Sequence, residues 1–424
     1  MSIRVAYVCA DRGVPVVGRG GSSTHVREFT SGLVGRGMPV TLLAACPSDG
    51  ISGGTGPCPM INLSSDPMLH GLRGQIAKQL RASGSASTRA AEIYSLLLNQ
   101  TLLGELGKLR QQIDVVYERH SLWSFAALQF AQREGLPYFL EVNAPLTDQQ
   151  EAYRDLDLRE TAQAIERLVF PAADRIILTS PALKGYARAR GASQRRMRVI
   201  PCGVSRGFFP ESGRAGTRGK SEFVVGFIGS LKPWHGVGSL LEAFRLLAEL
   251  SPSYRLLLVG DGPLLPYVKD FCRRHHLSHL VTLAGSVDYE RVPEYLAQID
   301  VGVAPYPALP SFYFSPLKIW EYAAGGVPIV ASASGDLPQL FPHKSAALLH
   351  PPGSVRKIVK HVERLRQDRA LGRRLARRAR RIAKQHTWDR LAARFESLAA
   401  HVLAAPQHEV IPGTESWSHS APEG

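Results

Sequence analysis

Short apolar runs rich in β-branched residues alternate with longer stretches of helical period along almost the whole chain. IRVAYVCA (3–10), PVTLLAA (39–45), VVYE (115–118), PYFLEV (137–142), RIILTS (175–180) and RVIPC (198–202) read as strands in the first half. FVVGFIG (223–229), YRLLLVG (254–260), VTLAG (281–285), VGVAPY (301–306) and VPIVAS (327–332) do so in the second. Between them, segments such as Thr24 to Arg36 and Gly238 to Leu250 repeat apolar residues at helical spacing. Strands this uniformly apolar are buried on both faces, as in parallel sheets covered by helices. The pattern occurs twice, so the expected class is α/β with two Rossmann-like doubly wound domains facing a cleft.

Residues 206–220 (RGFFPESGRAGTRGK) are Gly-, Arg- and polar-rich without periodicity, and read as a linker. The expected organisation is a first domain over 1–205, the linker over 206–220 and a second domain over 221–384. A helix over 385–403 and a disordered tail over 404–424 follow. The stretch Gly50 to Arg89 reads as irregular. A length of 424 residues fits two domains. Five cysteines without a CxxC pair argue against a disulfide framework and a zinc ribbon. His275, His276 and His279 form HHxxH without the glutamate of a zinc protease, and read as a polar helix face. The N-terminal run is short and soon meets Asp11-Arg12-Gly13, so it reads as a strand and not as a signal peptide. No window approaches the length of a membrane span. The expected location is cytoplasmic.

Charge changes this picture locally. The chain carries +15, and residues 355–390 hold fourteen basic residues against three acidic ones, +11 of that total. Arg373, Arg374, Arg377, Arg378 and Arg381 recur at helical spacing. Two readings stand: a solvated helix face, or a patch that docks on an anionic membrane or acidic carrier, which makes the protein peripheral at the inner membrane face.

Doubly wound sheets bind ligands beyond the carboxyl ends of their strands, so candidate chemistry is sought in the following loops. Four loops are informative. Gly18 to Thr24 is glycine-rich and enters a helix, where free amides and a partial positive charge favour an anion. Phe227 to Gly236 holds Gly229, Ser230, Lys232 and His235, two of which bear groups able to meet a diphosphate. Leu258 to Pro263 is a tight turn. Ser311 to Pro328 enters a helix near Pro316 and carries Glu321 among Ile319, Trp320, Tyr322, Ala323 and Ala324. A glutamate in so apolar a segment needs a partner, and a ribose diol is one.

The strings SPLKIWEYAAGGVPIVAS, FIGSLKPWHGV and LVGDGP, with AYRDLDL after EVNAPL, resemble glycosyltransferase family 4, retaining enzymes of the GT-B fold. The likeness runs in order from the first strand to about Trp388. It implies a nucleotide sugar held by the second domain and an acceptor held by the first. Carried over, Glu321 binds the ribose, the loop around Phe314, Ser315 and Leu317 holds the diphosphate, and Gly20 and Gly21 lie near the phosphates. His120 then lies near the reacting centre. Three positions depart from the family pattern. Tyr313 stands where the first motif glutamate is expected. Ser230 and His235 replace an arginine and a lysine, which leaves Lys232 as the local cation. Cys202 replaces a common asparagine. Lys318 has two readings, a phosphate-facing amine or a solvated one.

The expected catalytic residues are thus His120, Lys232 and Glu321. The resemblance implies front-face transfer in which the leaving phosphate takes the acceptor proton, so no general base is assigned. The donor is a UDP-, GDP- or ADP-sugar, the acceptor a carbohydrate, a lipid-linked glycan or a small molecule, and no metal is required. A sugar-nucleotide epimerase or a phosphorylase is a competing enzyme, distinguished by turnover without acceptor or by a need for free phosphate. A nucleic-acid-binding protein is the non-enzymatic rival, disfavoured because the basic segment has no interleaved aromatics before Trp388.

Overall fold

The computed structural model describes residues 2–48, 50, 56–82, 87–210, 221–309, 312–313 and 315–405. Two parallel sheets organise them. The first takes the order β3-β2-β1-β4-β5-β6-β7, from strands Val5–Cys9 (β1), Val40–Ala44 (β2), Met60–Asn62 (β3), Val115–Arg119 (β4), Tyr138–Val142 (β5), Arg175–Leu178 (β6) and Met197–Val199 (β7). The second takes the order β10-β9-β8-β11-β12-β13, from Phe223–Ile228 (β8), Tyr254–Val259 (β9), Val281–Gly285 (β10), Val301–Ala304 (β11), Ile329–Ser332 (β12) and Leu348–His350 (β13). Every pairing is parallel, and in each sheet the order reverses beside the first strand, β1 or β8. That reversal opens the crevice where such sheets take a ligand.

The continuous apolar runs have a direct structural cause. All five residues of β1, β4 and β5 are buried. Alternate residues serve different cores: Val5, Tyr7 and Cys9 face one cluster, Ala6 and Val8 the other. Two strands fall outside the sequence expectation. β3 lies in the stretch read as irregular, which also contains a helix at Pro67–Ala82 and the start of another at Ser87–Lys108. β13 follows the last expected strand. Both have three residues and lie at sheet edges, too short for a period to register. The strand expected over 198–202 is shifted to Met197–Val199.

The segment read as linker starts packed. Arg206–Phe208 is a 3-10 turn with Phe208 buried against Tyr289 and Arg206 paired with Asp389 at 2.6 Å. Residues 211–220 and 406–424, which carry the rest of the linker and nearly all of the expected tail, lie outside the described residues. The last helix, Trp388–Ala404, packs on the helix Gly21–Gly35 of the first domain and sets Phe395 against Phe29, Tyr117 and Phe139. No described helix is long and apolar enough to cross a membrane.

Candidate active site

The carboxyl ends of the two sheets line opposite walls of one cavity of about 570 Å³. Ten of the expected site residues meet there: Gly20 and Gly21 from one wall, and Gly229, Ser230, Lys232, His235, Ser315, Leu317, Lys318 and Glu321 from the other. The walls touch. Gly21 lies where a Cβ would be 3.4 Å from the Leu317 side chain, and the Cys202 amide donates to Ser315 Oγ at 2.9 Å.

The second-domain wall is cationic and incompletely paired. The helix Leu317–Ala324 starts at Pro316 without a side-chain cap, and while the Ile319 amide donates to the Pro316 carbonyl at 3.1 Å, those of Leu317 and Lys318 are open to an anion among the described residues. Lys318 is buried, and its Nζ has no hydrogen-bond partner among the described residues. It lies 3.8 Å from the centre of the Phe227 ring. Burial pushes its pKa down to about 7, with Glu321 opposing the shift. Glu321 is also buried, and burial pushes its carboxyl up to about 7 against the pull of Lys318. No ion pair within 4 Å joins the two among the described residues. Both line the cavity, and the Lys318 amine does so without a hydrogen-bond partner among the described residues. Of the two readings of Lys318, the solvated one is excluded.

Around them, His235 Nδ1 donates to the Ser230 carbonyl at 2.5 Å. Burial, then the charge of Lys318, lowers its pKa to about 3, so its ring is neutral. Lys232 is half-buried, its pKa lowered by burial and by Arg154, with Nζ 5.2 Å from the Trp234 ring. Gly229 sits at φ 128°, a conformation side chains rarely adopt, and a Cβ there would also press on Lys318 Nζ at 3.0 Å.

The first-domain wall is built on Glu141 at the end of β5. Its carboxylate accepts from His25 Nε2 at 3.0 Å, Tyr117 OH at 2.5 Å, Arg119 at 3.1 Å and Asn143 at 2.5 Å. Burial alone would raise its pKa, but His25, Arg119 and Asn143 hold it down to about 2. His25 is driven the other way. Burial opposes its charge, yet Glu141 and Cys202 raise it to about 9. Two cations thus share one carboxylate, and the wall keeps net positive charge facing the cavity.

Residues 20–203 match a family model described as a glycosyl transferase 4-like domain, and residues 222–368 match one described as glycosyl transferases group 1. The chain belongs to this glycosyltransferase family. The glycosyltransferase is 25% identical to the glycogen synthase of Mycobacterium tuberculosis over 408 residues, 94% of each chain. Its fold is similar to sucrose-phosphate synthase from Thermosynechococcus elongatus, with a TM-score of 0.72 at 22% identity over 95% of this chain and 100% of that one. Anabaena HepE in complex with UDP and glucose is also similar, with a TM-score of 0.66 at 18% identity, covering 95% of this chain and 100% of that one. The fold is GT-B.

Two expected site residues of the glycosyltransferase, His120 and Tyr313, do not line the cavity. His120 is buried on the opposite face of the first sheet, its Nε2 3.5 Å from Glu166 and its ring edge-on to Phe170. Burial lowers its pKa to about 4 although Glu166 opposes this. The cause is the period of two along β4: Tyr117 and Arg119 point to one side, Glu118 and His120 to the other. Arg119, one residue earlier, lines the cavity instead. Tyr313 buries its ring in the core cluster of the first domain. Phe314 lies outside the described residues.

Arg19, His25, Arg119, Asn143 and Thr179 of the glycosyltransferase line the cavity without having been singled out in the sequence. A signal for one of them existed. Arg119 is a charged residue closing an apolar strand, and the adjacent parallel strand pairs it directly with another, Glu141.

Proposed function

We propose that this glycosyltransferase is a retaining enzyme that moves a sugar from a nucleotide-sugar donor to an acceptor hydroxyl. The observation that carries the reading is the buried pair Lys318 and Glu321, both lining the cavity between the domains, with the Lys318 amine left without a hydrogen-bond partner among the described residues. Residues 221–384 form the donor side, with Glu321 accepting from the ribose hydroxyls. Lys318, Lys232 and the amides opening the helix Leu317–Ala324 meet the diphosphate. Residues 1–205, joined by the helix over 385–403, form the acceptor side. Arg119 takes the place assigned to His120 and donates to the oxygens between sugar and phosphate.

In the reaction the acceptor oxygen bonds to the anomeric carbon while the bond from that carbon to the phosphate oxygen breaks. The electron pair stays on the phosphate, which takes the acceptor proton on the same face. Negative charge grows on the leaving oxygens, where the cations already stand without reorganisation. Glu141 is committed to four donors, which argues against a carboxylate nucleophile on that wall and for same-face transfer. The donor is a UDP-, GDP- or ADP-sugar, UDP being the nucleotide named with Anabaena HepE. The acceptor is a carbohydrate, a lipid-linked glycan or a small molecule, and the enzyme works in the cytoplasm, in peripheral contact with the membrane.

Thermal stabilisation by the three donor classes tests the site. One class should raise the melting temperature of the wild type, and Glu321→Ala should weaken that donor's binding about 10- to 100-fold. Lys232→Ala should lower kcat about 100-fold. Wild-type donor binding and rates in both folded variants would remove the assignment.

A further inference from the structure

The helix Arg369–Ala383 divides sharply into two faces. Leu371, Leu375, Ala376, Ala379 and Ala383 are buried, and the helix packs against Leu317–Ala324, which carries Lys318 and Glu321. The other face exposes Arg373, Arg374, Arg377, Arg378 and Arg381, continued by Lys384. None of these six pairs with an acid among the described residues, whereas cations elsewhere in the fold do, such as Arg4 with Asp114 and Arg245 with Glu249. The preceding helix, Val355–Gln367, exposes Arg356, Lys357, Lys360 and Arg364, also unpaired among the described residues. The two acids within residues 355–384 are occupied: Glu363 accepts from Tyr254, and Asp368 caps the next helix through the Leu371 amide at 2.8 Å.

We propose that this basic face docks the enzyme on a bilayer rich in anionic phospholipid, a step that rests on the glycosyltransferase reading above and names the surface that makes its membrane contact. The six cations run along about 16 Å of helix, at 1.5 Å per residue. Guanidinium groups bind phosphate through paired donors, and between these side chains there is no aromatic ring to stack on a base and no amide to read one. The face therefore responds to phosphate density and not to a particular shape, which is what a charged bilayer presents. It also exposes no large apolar side chain, so attachment is electrostatic and reversible and not an insertion. Because the helix is seated on the one holding Lys318 and Glu321, attachment fixes the cleft's orientation relative to the membrane.

The test uses the full chain and sedimentation with vesicles of phosphatidylcholine alone or mixed equally with phosphatidylglycerol, at about 0.15 M salt. Binding to the mixed vesicles only, with release in high salt, is the expected result. The triple variant R374Q/R377Q/R381Q should lower the partition coefficient about 100-fold, near fivefold per charge. Its donor-induced thermal stabilisation should stay at the wild-type level, which also shows that it is folded. The proposal is overturned by no binding to mixed vesicles, by a triple variant that binds like the wild type, or by tighter binding to duplex DNA than to vesicles at the same salt. Loss of donor stabilisation in the wild type would instead sink the donor-site reading, whatever the vesicles show.

Discussion

Lys318 holds an amine that no hydrogen-bond partner among the described residues satisfies. The centre of the Phe227 ring lies 3.8 Å from it, and burial brings the pKa down to about 7. A diphosphate supplies the missing acceptor and restores the charge. The free enzyme is therefore competent with Lys318 protonated, below its pKa, and loses competence as the pH rises through about 7. The donor's kcat/KM should fall about tenfold per unit on that alkaline limb, while kcat, measured with donor already bound, stays flatter. Lys318→Met should lower kcat/KM about 100-fold and abolish the limb. A pH–rate profile of the variant that keeps the alkaline limb would assign the titration to another group. Glu141 is the contrast: equally buried, but with four donors, it holds its charge and shapes the wall. The difference between a structural and a reactive buried charge here is the number of partners, and no composition or spacing reveals that number.

What the chain order makes legible is the element, and what it hides is the side to which an element points. Eleven apolar runs correspond to eleven strands, since burial on both faces leaves an unbroken signature. The glycine-rich turn into Gly21–Gly35 and the proline-started helix at Leu317 were readable because their chemistry is local. His120 was not, since a shift of one residue along a strand exchanges the cleft for the core. Tyr313 was misplaced for a related reason: it substitutes for a glutamate in the sequence, and its ring leaves the cleft for the neighbouring domain. The three-residue strands β3 and β13 carry too few positions to show a period. At this scale the last helix makes the clearest prediction. Phe395 meets Tyr117 at 4.9 Å, Phe139 at 5.2 Å and Phe29 at 6.1 Å between ring centres. Phe395→Ala should cost about 3–5 kcal/mol and lower the melting temperature by about 10 °C. A shift within error of zero would mean that the helix adds nothing to the first domain's core.

Across the whole molecule, the two connections between domains run side by side. Val204 and Thr387 form a parallel bridge, with the Val204 amide bonded to His386 at 3.0 Å and the Trp388 amide to Val204 at 3.3 Å. At Gly203 a Cβ would lie 2.9 Å from both the Trp388 ring and Leu391, so only glycine lets the crossings approach this closely. Both crossings are thus confined to one line, which is the geometry of a hinge. Far from that line the polar links across the cleft are slight. Arg19 and Asp288 pair at 2.9 Å with the acid half exposed, and Arg27 lies 3.6 Å from an exposed Glu290. Exposed pairs of this kind contribute about 0–1 kcal/mol each, so across the cleft the polar contribution is small beside apolar contacts such as Tyr313 in the first domain's core. Donor binding adds contacts from both walls at once, since Gly20, Gly21 and Arg119 face Lys232, Lys318 and Glu321 over the same cavity. Solution X-ray scattering should therefore give a larger radius of gyration for the free enzyme than for the enzyme with saturating nucleotide. Gly203→Leu, which wedges the crossings apart, should shrink that difference and raise KM for the donor, with Lys318 and Glu321 untouched. An identical radius with and without nucleotide would describe a rigid pair of domains, and the donor would then have to enter through the static cavity.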